Sequence, residues 1–211
     1  MTAPRLAIFD LDGTLVDSVD DLAASVNYAL ARAGLPQRER DQVRGFIGNG
    51  ARPLIERAVA PHLDRVEEVL ADWRAHYDAH LLDQTRPYPG MVEVLAGARR
   101  TLAVQSNKPA PMTNRILEGL GLLSRFAIVV GGGDVPAKPD PAGVLAILAR
   151  VGATREDSVF IGDSALDAAT ARNAGVTFVG VTWGLVSREA LAGAGAVNLV
   201  DRVEDLAPWL A

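Results

Sequence analysis

The chain has 211 residues, of which 49% are hydrophobic and 22% charged, with a net charge of −5 and no cysteine. That length can bury a substantial core, and the lack of thiols excludes a disulfide framework or a thiolate metal site. No apolar stretch is long enough to span a bilayer, no secretory signal pattern is visible, and the acidic balance speaks against nucleic acid, so a cytoplasmic protein is the default expectation.

Leu6-Ala7-Ile8-Phe9 reads as a short buried strand, and Asp10-Leu11-Asp12-Gly13-Thr14 follows it directly. Asp17-Ser18 can cap a helix on which Val19, Leu22, Ala23, Val26 and Leu30 recur at helical spacing, ending at Gly34-Leu35-Pro36. Shorter helices are predicted at Arg40–Ile47 and Ala51–Ala60, separated by Gly48-Asn49-Gly50. A longer one runs from Asp64 to Leu82, with Val66, Val69, Leu70, Trp73, Tyr77 and Leu81 on one face. Arg86-Pro87-Tyr88-Pro89-Gly90 then reads as a hinge.

Beyond the hinge the rhythm changes. Helices predicted near Gly90–Arg99, Pro111–Leu120, Pro141–Val151 and Ala165–Ala174 alternate with strands at Leu102–Gln105, Phe126–Val130, Ser158–Ile161 and Val176–Val181. A weak strand at Val197–Val200 and a short terminal helix close the chain. Apolar strands alternating with helices predict an α/β fold with a doubly wound, mostly parallel Rossmann-like sheet. The helical stretch 16–85 is then an insertion after the first strand, and residues 1–15 and 86–211 form the α/β core.

Ligands in such sheets bind beyond the carboxyl ends of the strands. The first strand ends in Asp10 to Thr14, the next in Ser106-Asn107-Lys108-Pro109, the third in Gly131-Gly132-Gly133-Asp134 and the fourth in Gly162-Asp163-Ser164-Ala165-Leu166-Asp167. Asp-Gly is also a common surface turn, but acids, a hydroxyl, an amide and a lysine converging on one edge point to a site. Asp10, Asp12, Asp163 and Asp167 together repel one another unless a proton or a cation intervenes. An all-oxygen donor set favours Mg²⁺ over zinc or copper. A hard metal beside Ser, Asn, Lys and glycine amides suits a phosphate group, and phosphoryl transfer is the chemistry such a set serves. Of the 21 basic residues only Lys108 and Lys138 are lysines, and each precedes a proline. A compact ammonium is not interchangeable with a planar guanidinium in a tight site.

In their order along the chain, Asp10 to Ser18, Ser106 to Pro109, Lys138-Pro139-Asp140-Pro141 and Gly162 to Asp167 resemble the four motifs of the haloacid dehalogenase superfamily, and the insertion resembles its small α-helical cap. Gly48-Asn49-Gly50-Ala51-Arg52 and Pro87-Tyr88-Pro89-Gly90 are most similar to the phosphoglycolate phosphatase branch. The resemblance implies a phosphatase, with Asp10 as nucleophile and Asp12 as general acid and base. It implies Mg²⁺ held by the Asp10 carboxylate, the Asp12 carbonyl and Asp163, with Asp167 in support. Ser106 and Lys138 then bind phosphoryl oxygens, Asn107 orients the site, and Thr14 joins the phosphate-binding turn. The implied partner is a small phosphorylated metabolite: 2-phosphoglycolate first, another small phosphoester or sugar phosphate second. A phosphomutase shares this core chemistry.

Arg52 and Lys108 stay open at this level. Arg52 reads as a fork for a substrate carboxylate or as a solvated residue at a helix start. Lys108 reads as a phosphate ligand or a loop lysine, and His76 with His80 as a helix face. Gly131-Gly132-Gly133 lacks the residues of a P-loop and reads as a turn below the site.

Overall fold

The computed structural model describes residues 5–211. Strand β1 (Leu6–Phe9) leads through a tight loop to the two-residue β2 (Val16–Asp17), and four insertion helices follow: α1 (Val19–Arg32), α2 (Arg40–Arg44), α3 (Ala51–Val59) and α4 (Val66–Ala79). The chain returns through β3 (Arg86–Pro87) and alternates α5 (Met91–Ala96), β4 (Thr101–Pro109), α6 (Ala110–Gly119), β5 (Ile128–Gly132), α7 (Ala142–Val151), β6 (Ser158–Gly162), α8 (Ala165–Ala174) and β7 (Thr177–Val181). Helix α9 (Arg188–Gly193), β8 (Leu199–Val200) and α10 (Ala207–Leu210) complete it.

Six strands form one sheet in the order β5-β4-β1-β6-β7-β8, every neighbouring pair parallel. β1 is central. After β1 the chain builds outward through β4 and β5, then crosses back to place β6 on the other side, so the order reverses between β1 and β6. The carboxyl ends of these two strands flank the crevice that such a reversal opens. Asp10 stands at one end and Asp163 at the other.

Alternation along β1 divides the core between the two faces. Leu6 and Ile8 pack with Val144, Ile147 and Phe160 toward α7 and α8. Ala7 and Phe9 join a larger cluster that includes Met91, Ile116 and Leu117 and continues into the insertion. Within the insertion Val66, Val69, Leu70, Trp73, Tyr77 and Leu81 are all buried, as their spacing predicts. Each fully buried side chain of this kind stabilises by roughly 1.5–3 kcal/mol.

The structure differs from the sequence reading in detail. The expected hinge contains β3, which pairs antiparallel with β2 and ties both ends of the insertion together. Strand β4 runs on to Pro109, carrying Ser106, Asn107 and Lys108 on the strand itself. Gly131 and Gly132 also belong to a strand, where Cβ atoms would collide with Ala110 and Asn107 respectively. Helix α9 has no counterpart in the sequence reading. No helix among the described residues is long and apolar enough to cross a membrane.

Candidate active site

The loop after β1 is built on Leu11, whose carbonyl accepts from the amides of Thr14, Leu15 and Val16, while the Gly13 amide donates to Val16. Gly13 has φ +85°, and a Cβ there would strike the Asp163 carboxylate, so only glycine closes this turn against β6. Asp10 and Asp12 are thereby held buried at the end of β1.

Carboxylate oxygens of Asp10, Asp163 and Asp167 lie within 4.8 Å of one another, all three residues buried. Lys138 Nζ stands 2.8 Å from Asp10 Oδ1 and 2.7 Å from Asp167 Oδ1. Three carboxylates against one ammonium leave negative charge uncompensated. Burial, and then the neighbouring acids, push the Asp10 carboxyl up to about 7 against the attraction of Lys138. Burial with repulsion from Asp167 and Asp10 lifts Asp163 well above the usual range. Burial disfavours the charge of Lys138, but its two acidic partners outweigh this and raise it. The three hard oxygen donors fit a divalent cation, which would supply the missing positive charge.

The supporting bonds differ among the acids. Asp163 accepts from Thr14 Oγ1 at 3.2 Å and from the Leu185 amide at 2.5 Å. Asp167 closes a capping box with Ser164 at the start of α8: its Oδ2 accepts from the Ser164 hydroxyl at 2.6 Å while its Oδ1 holds Lys138. Thr14 thus touches Asp163 rather than lining the cleft.

A cleft opens beside this cluster, walled on the core side by Asp10, Asp12, Ser106, Asn107 and Lys108. The insertion contributes Leu22, Ile47, Gly48, Gly50, Ala51, Leu54 and Trp73. Asn107 Oδ1 accepts from the Lys138 amide at 2.8 Å, and its Nδ2 donates to the Gly48 carbonyl at 3.1 Å, joining a core strand to the insertion. Ser106 is buried on the cleft wall. Among the described residues the Trp73 indole N–H is buried without a partner.

Lys108 is no loop lysine. It is buried, with Nζ 2.7 Å from Asp12 Oδ1 and 2.6 Å from the Tyr77 hydroxyl. Burial opposes its charge, yet Asp12 and Tyr77 hold it above the ordinary lysine value. Ser18 does not cap α1 with its side chain; the hydroxyl donates to Asp12 Oδ1 at 2.5 Å, and Asp17 accepts from the Val19 amide at 3.2 Å instead. Ser18 and Tyr77 escaped the sequence reading because one resembles a cap and the other a core aromatic.

Arg52 is placed apart from these residues. It pairs with Glu67 and, at 3.6 Å, with Glu56 on the insertion surface and does not line the cleft. His76 stacks on Tyr28 and His80, with Nδ1 3.0 Å from Ser25 Oγ, and His80 pairs with Asp83.

Comparison with known proteins identifies the family. A family profile described as haloacid dehalogenase-like hydrolase matches residues 7–181. Phosphoglycolate phosphatase 1 of Pseudomonas aeruginosa is 38% identical over 217 residues, spanning 97% of this chain and 79% of that protein. Phosphoglycolate phosphatase of Agrobacterium fabrum is 40% identical over 189 residues, 85% of this chain and 81% of that protein. The crystal structure of a predicted phosphoglycolate phosphatase from Haemophilus somnus has a TM-score of 0.93 at 32% identity, with 100% of both chains covered. The chain belongs to the haloacid dehalogenase-like hydrolase family and is a phosphatase of that family.

Proposed function

We propose that this phosphatase is a Mg²⁺-dependent phosphomonoesterase that acts through an aspartyl-phosphate on Asp10, with 2-phosphoglycolate as its substrate. The observation that carries the proposal is the double placement of Asp10, on the cleft wall and within the Asp163–Asp167–Lys138 cluster. Residues 16–85 act as a cap over a core of residues 1–15 and 86–211. Asp10, the Asp12 carbonyl and Asp163 would hold Mg²⁺, with Asp167 in support, and the ion would supply positive charge to phosphoryl oxygens and keep Asp10 ionised.

The Asp10 carboxylate attacks phosphorus as the bond to the substrate alcohol breaks, and Asp12 gives its proton to the departing oxygen. Asp12 then takes a proton from the water that attacks the aspartyl-phosphate, releasing phosphate and restoring Asp10. Lys138 and Ser106 hold phosphoryl oxygens. Asn107 fixes the Lys138 backbone, and Thr14 orients Asp163. Arg52, engaged by Glu56 and Glu67, receives no part in this scheme.

The relatives named phosphoglycolate phosphatase support this choice of substrate. The apolar wall of Leu22, Ile47, Leu54 and Trp73 favours a second reading, another small phosphorylated metabolite. Phosphate release is measured from 2-phosphoglycolate, sugar phosphates and alkyl phosphates, with EDTA and with Mg²⁺ restored. The first reading expects the highest kcat/KM for 2-phosphoglycolate and no turnover in EDTA. Preference for a sugar phosphate selects the second, and release only with a bisphosphate primer indicates a phosphomutase. Turnover indifferent to chelation removes the metal.

A further inference from the structure

Tyr77 is a fully buried tyrosine on α4, and its hydroxyl meets Lys108 on the core strand β4. The phenol oxygen is 2.6 Å from Lys108 Nζ, which is 2.7 Å from Asp12 Oδ1. Ser18 donates to that same oxygen at 2.5 Å. Oδ1 therefore takes both bonds, and Asp12 Oδ2 receives none from the described residues although Asp12 lines the cleft. A carboxylate tied by one oxygen cannot rotate freely, so its other oxygen is aimed.

The lysine needs holding too. Its four-carbon stem is flexible, and an ammonium with three donors makes a defined contact only where its partners are fixed. Tyr77 is fixed, because its ring stacks on Trp73 with centroids 5.1 Å apart and planes at 21°. The ammonium also lies 4.8 Å from the centre of the tyrosine ring.

We propose that Tyr77 and Lys108 are positioning residues for proton transfer by Asp12. Tyr77 holds Lys108, and Lys108 with Ser18 fixes Oδ1, leaving Oδ2 to address the oxygen of the departing alcohol. Asp12 and Lys108 sit at strand ends, whereas Tyr77 comes from the insertion. The proton donor is thus oriented by residues from both the core and the insertion. The inference rests on the reading of Asp12 as the acid.

A pair of substrates tests it. Ethyl phosphate expels an alkoxide that requires a proton, whereas p-nitrophenyl phosphate expels a phenolate that leaves without one. The ratio of their kcat/KM values reports the first half-reaction up to departure of the alcohol. Tyr77→Phe keeps the ring stack and removes only the hydroxyl; Lys108→Met removes the charge; Asp12→Asn is the control. Thermal unfolding confirms that each variant is folded, and Lys108→Met carries the test if Tyr77→Phe does not fold. The expected result is a fall of about tenfold in the ethyl to p-nitrophenyl ratio for Tyr77→Phe, and a larger fall for Lys108→Met and Asp12→Asn. A purely structural role slows both substrates alike. If Asp12→Asn collapses the ratio but both positioning variants keep it within about twofold, the inference is overturned and the acid survives. If Asp12→Asn leaves the ratio unchanged, the acid falls, and the inference with it.

Discussion

Lys138 has its ammonium within 2.8 Å of Asp10 and 2.7 Å of Asp167 and is itself buried. A guanidinium is wider and planar, and cannot occupy the same point without moving one carboxylate. Lys138→Arg is therefore expected to lower kcat by about a hundredfold or more while the protein stays folded. Wild-type turnover by this variant contradicts the placement. The scarcity of lysine singles out both Lys138 and Lys108, yet the role of Lys108 is not legible in the sequence. Its partners Asp12 and Tyr77 lie 96 and 31 residues away. No local pattern records such contacts. Ser18 illustrates the converse: a serine before a helix suggests a cap, but its hydroxyl is spent on Asp12.

Among the elements, the alternation of strands and helices was readable because buried parallel strands and amphipathic helices each leave a period. The β2–β3 ribbon was not, since two-residue strands have none. What secures that ribbon is Asp21, an acid on the buried side of α1. It accepts from the amides of Gln84 and Thr85 and from the Thr85 hydroxyl, at 2.7 to 3.0 Å. Asp21 thus clamps the return of the insertion to its first helix. Asp21→Ala leaves two amides and a hydroxyl without their acceptor, and is expected to cost about 2–4 kcal/mol in urea unfolding. Unchanged stability contradicts the clamp. At Gly162 a Cβ would collide with the Asp167 side chain. Gly162→Ala is accordingly expected to reduce kcat by displacing the partner of Lys138, and full activity counts against that coupling.

At the scale of the molecule, the sheet reversal between β1 and β6 collects acids that one lysine does not neutralise. Without a cation, burial and the neighbouring acids push the Asp10 carboxyl up from the ordinary 3.8 to about 7. A raised carboxyl stabilises the fold fully below the ordinary value, and that contribution is lost as pH rises through about 7. In EDTA the Tm is therefore expected to fall between about pH 5 and about pH 8, and Mg²⁺ to restore it mainly at the higher pH, where Asp10 is free to bind. Equal Tm with and without the ion at the higher pH contradicts a cation site among these acids.

In the proposed mechanism Asp10 carries the phosphoryl group, and trapping the phosphoenzyme is its test. Asp12→Asn protein is mixed with an activated phosphomonoester and Mg²⁺, quenched in acid, digested and sequenced by mass spectrometry. One phosphoryl group is expected, on Asp10, turning over slowly. A phosphoryl group on any other residue, or rapid phosphate release with no covalent intermediate and with Asp10→Asn still active, contradicts it.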